Sequence, residues 1–341
     1  MPDPLILAYI AGLVDGDGYF KITKSYRTPR IRHPYYANVL GLAQLWPGAA
    51  VHLFADTFGG DVKLVVTRSG TPMARCELRS SRAESATRRL IPFLLVKRPR
   101  ALLFLEVPRL RPKRRGRTMP TERGHERLEA ITKVFNRVQE GRWDPLEECL
   151  PVSGYMRGYE RLSPVQLGWS KQETFAYLAG VMDSDGNFRI PKKRVQGMRW
   201  PCYRINVRCA QVKPSPAVEM LSRTFGGRIA TKRERKPNCR DPASWNLHDR
   251  AASPAIEALL PYLRLKWVDT CLLLELRHLK SLGKEDLTEW EHRTRWQRVI
   301  KMRKRSYSAS QVAEFERVRQ NLGALHEGGR SRPSTAPAGQ G

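Results

Sequence analysis

The chain is short of acid. Its 341 residues carry 33 Asp and Glu against 61 Lys and Arg, a formal net charge of +28. So large a deficit of one sign excludes an ordinary metabolic enzyme surface and points to a polyanion as partner. Long apolar runs are also missing. No stretch reaches the roughly 18 residues of a membrane span, and the run from Leu5 to Val14 has the length of a short core helix. No basic segment precedes that run, as it would in a secretory leader. Six cysteines (Cys76, Cys149, Cys202, Cys209, Cys239, Cys271) form no CxxC pair and no zinc-ligand spacing, which excludes a zinc finger and a disulfide framework. They read as reduced thiols. The expectation is an intracellular protein of the cytoplasm or nucleoid, or of an organelle.

What the chain does have is a long internal repeat. "LAYIAGLVDGDGYF" begins at Leu7, and "FAYLAGVMDSDGNFRI" begins at Phe175. Asp17 corresponds to Asp185 (185 − 17 = 168), Gln44 to Gln211 (211 − 44 = 167) and Lys97 to Lys266 (266 − 97 = 169). Matches in the same order at nearly constant offset mean a duplicated domain, and the period is too long for a solenoid.

Each copy predicts the same elements. A helix (about 5–16; 171–184) ends at the acidic turn, and two strands follow (19–27 and 35–44; 187–193 and 202–211). A helix over "PGAAVHLFADTF" or "PSPAVEMLSRTF" stops at Gly-Gly. Two more strands (62–69 and 73–80; 227–236 and 244–250) lead to a helix over "RAESATRRLIPFL" or "RAASPAIEALLPYL", then the lysine and a final apolar helix. The order is α-β-β-α-β-β-α, an α+β unit with an antiparallel sheet. The predicted organisation is an N-terminal half (1–110), a basic linker with a helix over 125–139 (111–170), and a C-terminal half with an extra helix (171–303). A C-terminal helix and disordered tail complete it (304–341), with helices over 286–303 and 309–322 and a tail poor in apolar residues.

The acidic turns pose a physical problem. The C-terminal end of a helix carries about half a negative charge and disfavours carboxylates, yet Asp15, Asp17, Asp183 and Asp185 stand there. Small residues four apart (Ala8 and Gly12; Ala176 and Gly180) let two backbones approach closely. Because this small face occurs once per copy, the expected contact joins the two motif helices at a pseudo-twofold axis. Two dipole ends and several carboxylates would then converge, which calls for cations, and an all-oxygen donor set favours Mg2+ over zinc. An EF-hand does not fit: Phe20 and Phe188 stand where its loop needs Gly, and Tyr26 and Arg194 where it needs Glu.

"IAGLVDGDG" and "LAGVMDSDG" resemble the two motifs of single-chain LAGLIDADG homing endonucleases, and the resemblance extends over roughly 5–110 and 171–280. It implies two pseudo-symmetric αββαββα halves with antiparallel, saddle-shaped sheets, packed through the two acidic-motif helices. It implies a monomeric, site-specific endonuclease of double-stranded DNA, cutting both strands of a long, non-palindromic target. Asp17 and Asp185 would hold the metals, with Gly16 and Ser184 beside them. Two or three Mg2+ are implied, Mn2+ substituting and Ca2+ binding without supporting cleavage. Gln44 and Gln211 would orient water or the metal's outer shell. Lys97 and Lys266 would stabilise developing charge or help activate water. Asp15 and Asp183, with Gly12 and Gly180, would shape the motif rather than react. In one place the sequence departs from the family: where an additional basic residue often follows the glutamine, only Lys213 qualifies, Trp46 standing in the first copy. Unequal cutting by the halves is therefore expected.

Alternation predicts the DNA face. Lys21, Thr23, Ser25 and Arg27 share one side of the first strand, and Arg189 and Lys193 the equivalent place in the second copy. Arg204, Asn206 and Arg208 oppose Tyr203, Ile205, Val207 and Cys209, and Arg and Asn suit guanine and adenine edges. None of these faces includes an acid. Arg68 and Arg233 are further expected contacts, while the strand 35–44 is apolar on both sides and assigns none. Linker residues Arg114, Arg115 and Arg117 would add phosphate affinity. Strands of about ten residues span roughly one turn of DNA, so two sheets would cover about 20 bp. Two alternatives use the same fold: an RNA maturase assisting intron splicing, with intron RNA as partner, and a DNA-binding regulator that does not cut.

Overall fold

The computed structural model describes residues 2–25, 34–110, 122–140, 168–193, 202–213, 215–231 and 241–281. Arg27, Arg233, the linker arginines and the elements expected beyond 281 lie outside them, as does the Lys193 side chain. The chain divides into two compact units, Met1–Asn187 with Arg208–Asn246, and Phe188–Val207 with Leu247–Gly341. The division does not follow the repeat: the second motif helix belongs to the first unit.

Helix α1 (Pro4–Gly16) starts with Asp3, whose carboxylate accepts the Leu5 N–H at 2.9 Å, and with proline in its first turn. It is buried continuously from Ala8 to Asp15. Strands β1 (Gly18–Ser25), β2 (Tyr35–Leu45), β3 (Val62–Val66) and β4 (Pro72–Arg79) form an antiparallel sheet in the order β1-β2-β4-β3. Register pairs Phe20 with Leu40 and Leu40 with Leu78, so one face is apolar. Helices α2 (Ala49–Phe58), α3 (Ser80–Leu90) and α4 (Arg98–Arg109) cover that face. Phe20 meets Phe104 of α4 edge-on at 5.3 Å.

One buried polar residue in this core has a backbone cause. Pro108 lies inside α4 and has no N–H to give the Phe104 carbonyl one turn back. Asn38, fully buried on β2, donates to that carbonyl at 2.6 Å. At the repeat offsets Asn38 corresponds to Ile205 and Pro108 to Arg277, so the pair is present in one copy and absent in the other.

The expected linker helix is α5 (Glu122–Glu140), and it packs on α4 through Leu128, Ile131, Val134 and Phe135. Lys24, on the Phe20 side of β1, pairs with Glu129 of α5, and the Tyr36 hydroxyl reaches the same carboxylate. Trp169 donates to the Pro92 carbonyl, Ser170 and Glu173 form a capping box, and helix α6 follows (Lys171–Asp185).

The second four-stranded sheet runs β5-β8-β10-β9: β5 (Gly186–Arg189), β8 (Asn206–Val212), β10 (Pro242–His248) and β9 (Arg228–Thr231). A small ribbon pairs β6 (Lys192–Lys193) with β7 (Cys202–Tyr203). Helices α7 (Pro216–Phe225), α8 (Ala252–Leu259) and α9 (Trp267–Ser281) complete the described chain. No helix among the described residues is long and apolar enough to cross a membrane, and Cys76, Cys209 and Cys271 are buried.

Several expected elements are shorter or split. The strand 62–69 ends at Val66 because Thr67 to Thr71 close a turn, with Gly70 at φ +80°. The helix expected over 82–94 runs instead over Ser80–Leu90 and gives way at Pro92 to a single 3-10 turn, Ile91–Phe93. Pro191 divides 187–193 into β5 and β6. The strand 202–211 breaks between β7 and β8, where the Ile205 N–H bonds the Asp249 carboxylate at 3.2 Å instead of a neighbouring strand. Asp249, at φ +47°, also ends the strand 244–250 at His248.

Candidate active site and nucleic-acid face

Glycine decides how α1 and α6 meet. A methyl group on Gly12 would stand 2.1 Å from the Tyr177 carbonyl oxygen, and one on Gly180 would stand 2.1 Å from that of Tyr9. The two backbones therefore touch, and only glycine permits it. Farther along, a methyl group on Gly16 would run into the Ser184 side chain and stand 3.0 Å from an Asp185 carboxylate oxygen. The C-terminal ends of both motif helices thus lie side by side.

At these ends the first and second aspartates of each motif part ways. Asp15 is buried, and its carboxylate accepts the N–H groups of Leu95 (2.8 Å), Val96 (3.0 Å) and Lys97 (2.7 Å). The Tyr177 hydroxyl donates to it at 2.8 Å, and reciprocally Tyr9 donates to buried Asp183 at 2.8 Å. Burial raises the Asp15 carboxyl from its usual range, against the lowering effect of those amides and of the Lys97 charge. The second aspartates each meet a glutamine instead. Gln44 Nε2 donates to Asp17 at 2.9 Å and Gln211 Nε2 to Asp185 at 2.7 Å.

Lys97 supplies the cation that the helix dipole demands. Its ammonium donates to the carbonyls of Val14 (2.8 Å), Gly16 (2.7 Å) and Gly18 (2.7 Å), capping the end of α1. Burial lowers its pKa to about 8, although Asp15, Asp185 and Asp17 all attract the proton. This amends the expectation that a metal ion alone makes the carboxylates tolerable: amides, tyrosines and Lys97 hold the first motif's end in the protein itself. Lys266 belongs to the second unit, where its carbonyl accepts the Thr270 N–H at the start of α9.

The residues present fit a hard divalent cation. Asp17, Asp185 and the Ser184 carbonyl are all oxygen donors, while the Gly16 carbonyl, also expected to contribute, accepts the Lys97 ammonium here. The Gln44 Oε1 atom is buried with no partner among the described residues, an acceptor suited to a metal-bound water. The Ser184 hydroxyl is turned back onto the Gly180 and Val181 carbonyls, which leaves its own carbonyl as its contribution. Among the described residues no three His, Cys, Asp or Glu side chains form a metal cluster.

No protein-family model and no curated protein matches the sequence. Solved structures do match the fold. The I-LtrWI LAGLIDADG homing endonuclease bound to target DNA superposes with a TM-score of 0.63 at 14% identity, over 89% of this chain and 98% of that one. I-SmaMI bound to uncleaved DNA target in the presence of calcium ions gives 0.60 at 15% identity, over 89% and 99%. The I-SmaMI LAGLIDADG homing endonuclease bound to cleaved DNA gives 0.58 at 14%, over 97% and 99%. This is the LAGLIDADG homing-endonuclease fold.

In this LAGLIDADG fold the face of the first sheet away from its helices presents exposed side chains among the described residues. Lys21 and Ser25 are exposed there on β1, and the Thr23 hydroxyl donates to the Ala37 carbonyl across the strand pair. Arg68 is exposed in the turn between β3 and β4. In the second copy Arg189, Arg204 and Arg208 are exposed and Asn206 is half-buried beside His248, while Ile205, Val207 and Cys209 are buried.

Sequence reading left the contribution of β4 unassigned. Arg75, Glu77 and Arg79 alternate with buried Ala74, Cys76 and Leu78, so they share the open face with Tyr19 and Lys21. Glu77 accepts from Tyr19 (2.6 Å), Arg79 (3.1 Å) and Arg75, and Arg75 Nε also donates to the Tyr19 hydroxyl (2.8 Å). Burial alone would raise Glu77, but these donors prevail and hold it below the usual carboxylate range; burial and Glu77 push Tyr19 up to about 12. Although β1 has no acid on this face, the sheet as a whole does. The period-two pattern of "PMARCELR" carried the signal.

Proposed function

We propose that the chain is a site-specific endonuclease of double-stranded DNA that hydrolyses phosphodiesters on both strands with divalent metal. One observation carries this reading: the two motif helices meet at Gly12 and Gly180, so that Asp17 and Asp185, each hydrogen-bonded by its own glutamine, end side by side. Two proteins of the same fold are described bound to DNA, one in the presence of calcium ions. The net charge of +28 and the exposed basic residues of the sheets suit the same partner.

Asp17 and Asp185 would hold the cations, with the carbonyls of Gly16 and Ser184 near them. Bound Mg2+ would polarise the scissile phosphoryl group and lower the pKa of an attacking water. Gln44 and Gln211 donate to the aspartates and so fix the direction of the remaining carboxylate oxygens. Lys97, held by three carbonyls, would contribute positive charge near the developing oxyanion. Lys21, Thr23, Ser25, Arg68, Arg189, Arg204, Asn206 and Arg208 would face the DNA, joined by Arg75 and Arg79.

Incubation of the purified protein with a complex plasmid library in Mg2+, followed by sequencing of new DNA ends, tests the reading. Discrete ends at one long site, absent in EDTA, are expected. Specific DNA retention without ends in Mg2+ or Mn2+ would make the protein a non-cutting binder, and retention of intron RNA alone would make it a maturase.

A further inference from the structure

The two glutamines that meet Asp17 and Asp185 differ in how they are held. On the Asp185 side Gln211 is tied at both ends. Its Nε2 donates to Asp185 at 2.7 Å, and its Oε1 accepts the Ser215 hydroxyl at 2.8 Å. Ser215 is buried and caps α7, its oxygen accepting the Val218 N–H at 3.3 Å. The capping bond occupies a lone pair, so the single hydroxyl proton is available for Gln211. With Oε1 committed to the serine, only the amino end of Gln211 can face the carboxylate.

The Asp17 side lacks this device. At the 167-residue offset that relates Gln44 to Gln211, Ser215 corresponds to Gly48. Gly48 precedes α2 at φ +62° without a side-chain cap, and a methyl group there would stand 2.5 Å from the Ala74 Cβ. The position excludes serine both by conformation and by space. Gln44 Oε1 is accordingly left buried with no partner among the described residues.

We infer that Ser215 is a positioning residue: it locks Gln211 on Asp185, so that one of two cleavage centres is preorganised and the other is not. The inference rests on the nuclease reading for its consequence, but not for its geometry. A donor tied at both ends holds Asp185 in one orientation before DNA arrives, whereas Gln44 is held by its bond to Asp17 alone, its Oε1 having no partner among the described residues. The strand served by the Asp185 centre is cut first.

The test uses the full chain and two substitutions, Ser215→Ala and Ser215→Thr, the second keeping the hydroxyl. Protein labelled with 15N-glutamine and free of metal reports the side-chain amide protons directly. Gln211 is expected to exchange with solvent slowly in the wild type and in Ser215→Thr, and on the order of tenfold faster in Ser215→Ala, with Gln44 unchanged. Single-turnover cleavage of a target labelled separately on each strand gives the second readout. Ser215→Ala is expected to slow one strand on the order of tenfold and the other less than twofold, with Ser215→Thr near wild type. Unchanged Gln211 exchange in Ser215→Ala would overturn the inference. Equal slowing of both strands would reduce Ser215 to a helix cap and overturn it too. A wild type that cuts no DNA would overturn the nuclease reading and with it the inequality of the centres, while the exchange data would still decide whether Ser215 holds Gln211.

Discussion

Asp15 and Asp17 stand two positions apart and meet opposite surroundings. Asp15 turns inward to three backbone amides and the Tyr177 hydroxyl, whereas Asp17 meets the amide of Gln44. A hydroxyl donating to a buried charge contributes about 1.5–3 kcal/mol, so Tyr177→Phe is expected to lower stability by about that amount in urea unfolding. Lys97 adds a pH dependence. Its folded pKa of about 8 lies below its ordinary value of 10.5. Between those values the unfolded chain keeps a proton that the folded chain has released, so this lysine's contribution to stability rises with pH. Unfolding measured in EDTA between pH 8 and 10 should therefore show a more positive slope for the wild type than for Lys97→Met. Asp17 with Gln44 and Asp185 with Gln211, the pairs that the structure brings together, were legible in the sequence because the duplication displays each residue twice. Tyr9 and Tyr177 are repeated just as faithfully, but inside an apolar run a tyrosine reads as core, and its hydroxyl's partner lies in the other copy.

Among the elements, the helices and the first sheet followed from periodicity and from Gly and Pro punctuation. The breaks between β3 and β4 and between β5 and β6 come from local turn chemistry, from Thr67 to Thr71 and from Pro191. The break before β8 is different in kind. Ile205 bonds Asp249, a partner 44 residues away that no local pattern announces. Asn38 is likewise opaque in isolation, a polar residue in an apolar strand, until Pro108 supplies the unpaired carbonyl that it satisfies. Asn38→Leu is expected to cost about 1–3 kcal/mol by leaving the Phe104 carbonyl buried and unpaired. The same substitution made on a Pro108→Ala background, where the backbone regains an N–H to serve that carbonyl, should cost at least about 1 kcal/mol less. Equal costs in the two backgrounds, measured as a double-mutant cycle by chemical unfolding, would break the link between the two residues.

For the whole molecule, duplication is the organising fact. It places two small-faced helices where glycine lets their backbones touch, and it carries two aspartates to one spot at the end of that contact. The copies then diverge in detail: Gly48 against Ser215, Trp46 against Lys213, and Asn38 with Pro108 in the first copy alone. Under the proposed activity, such divergence would suit a target whose two halves differ. The measurement that bears most directly on the proposed activity is metal-dependent cleavage by Asp17→Asn and Asp185→Asn beside the wild type, on the site that the library identifies. Each substitution keeps the side chain's shape and removes the charge. Loss of cleavage by on the order of a thousandfold in either variant, with specific DNA binding in Ca2+ retained, is the expected result. Cleavage at wild-type rate in both variants would contradict it and move the chemistry elsewhere in the chain.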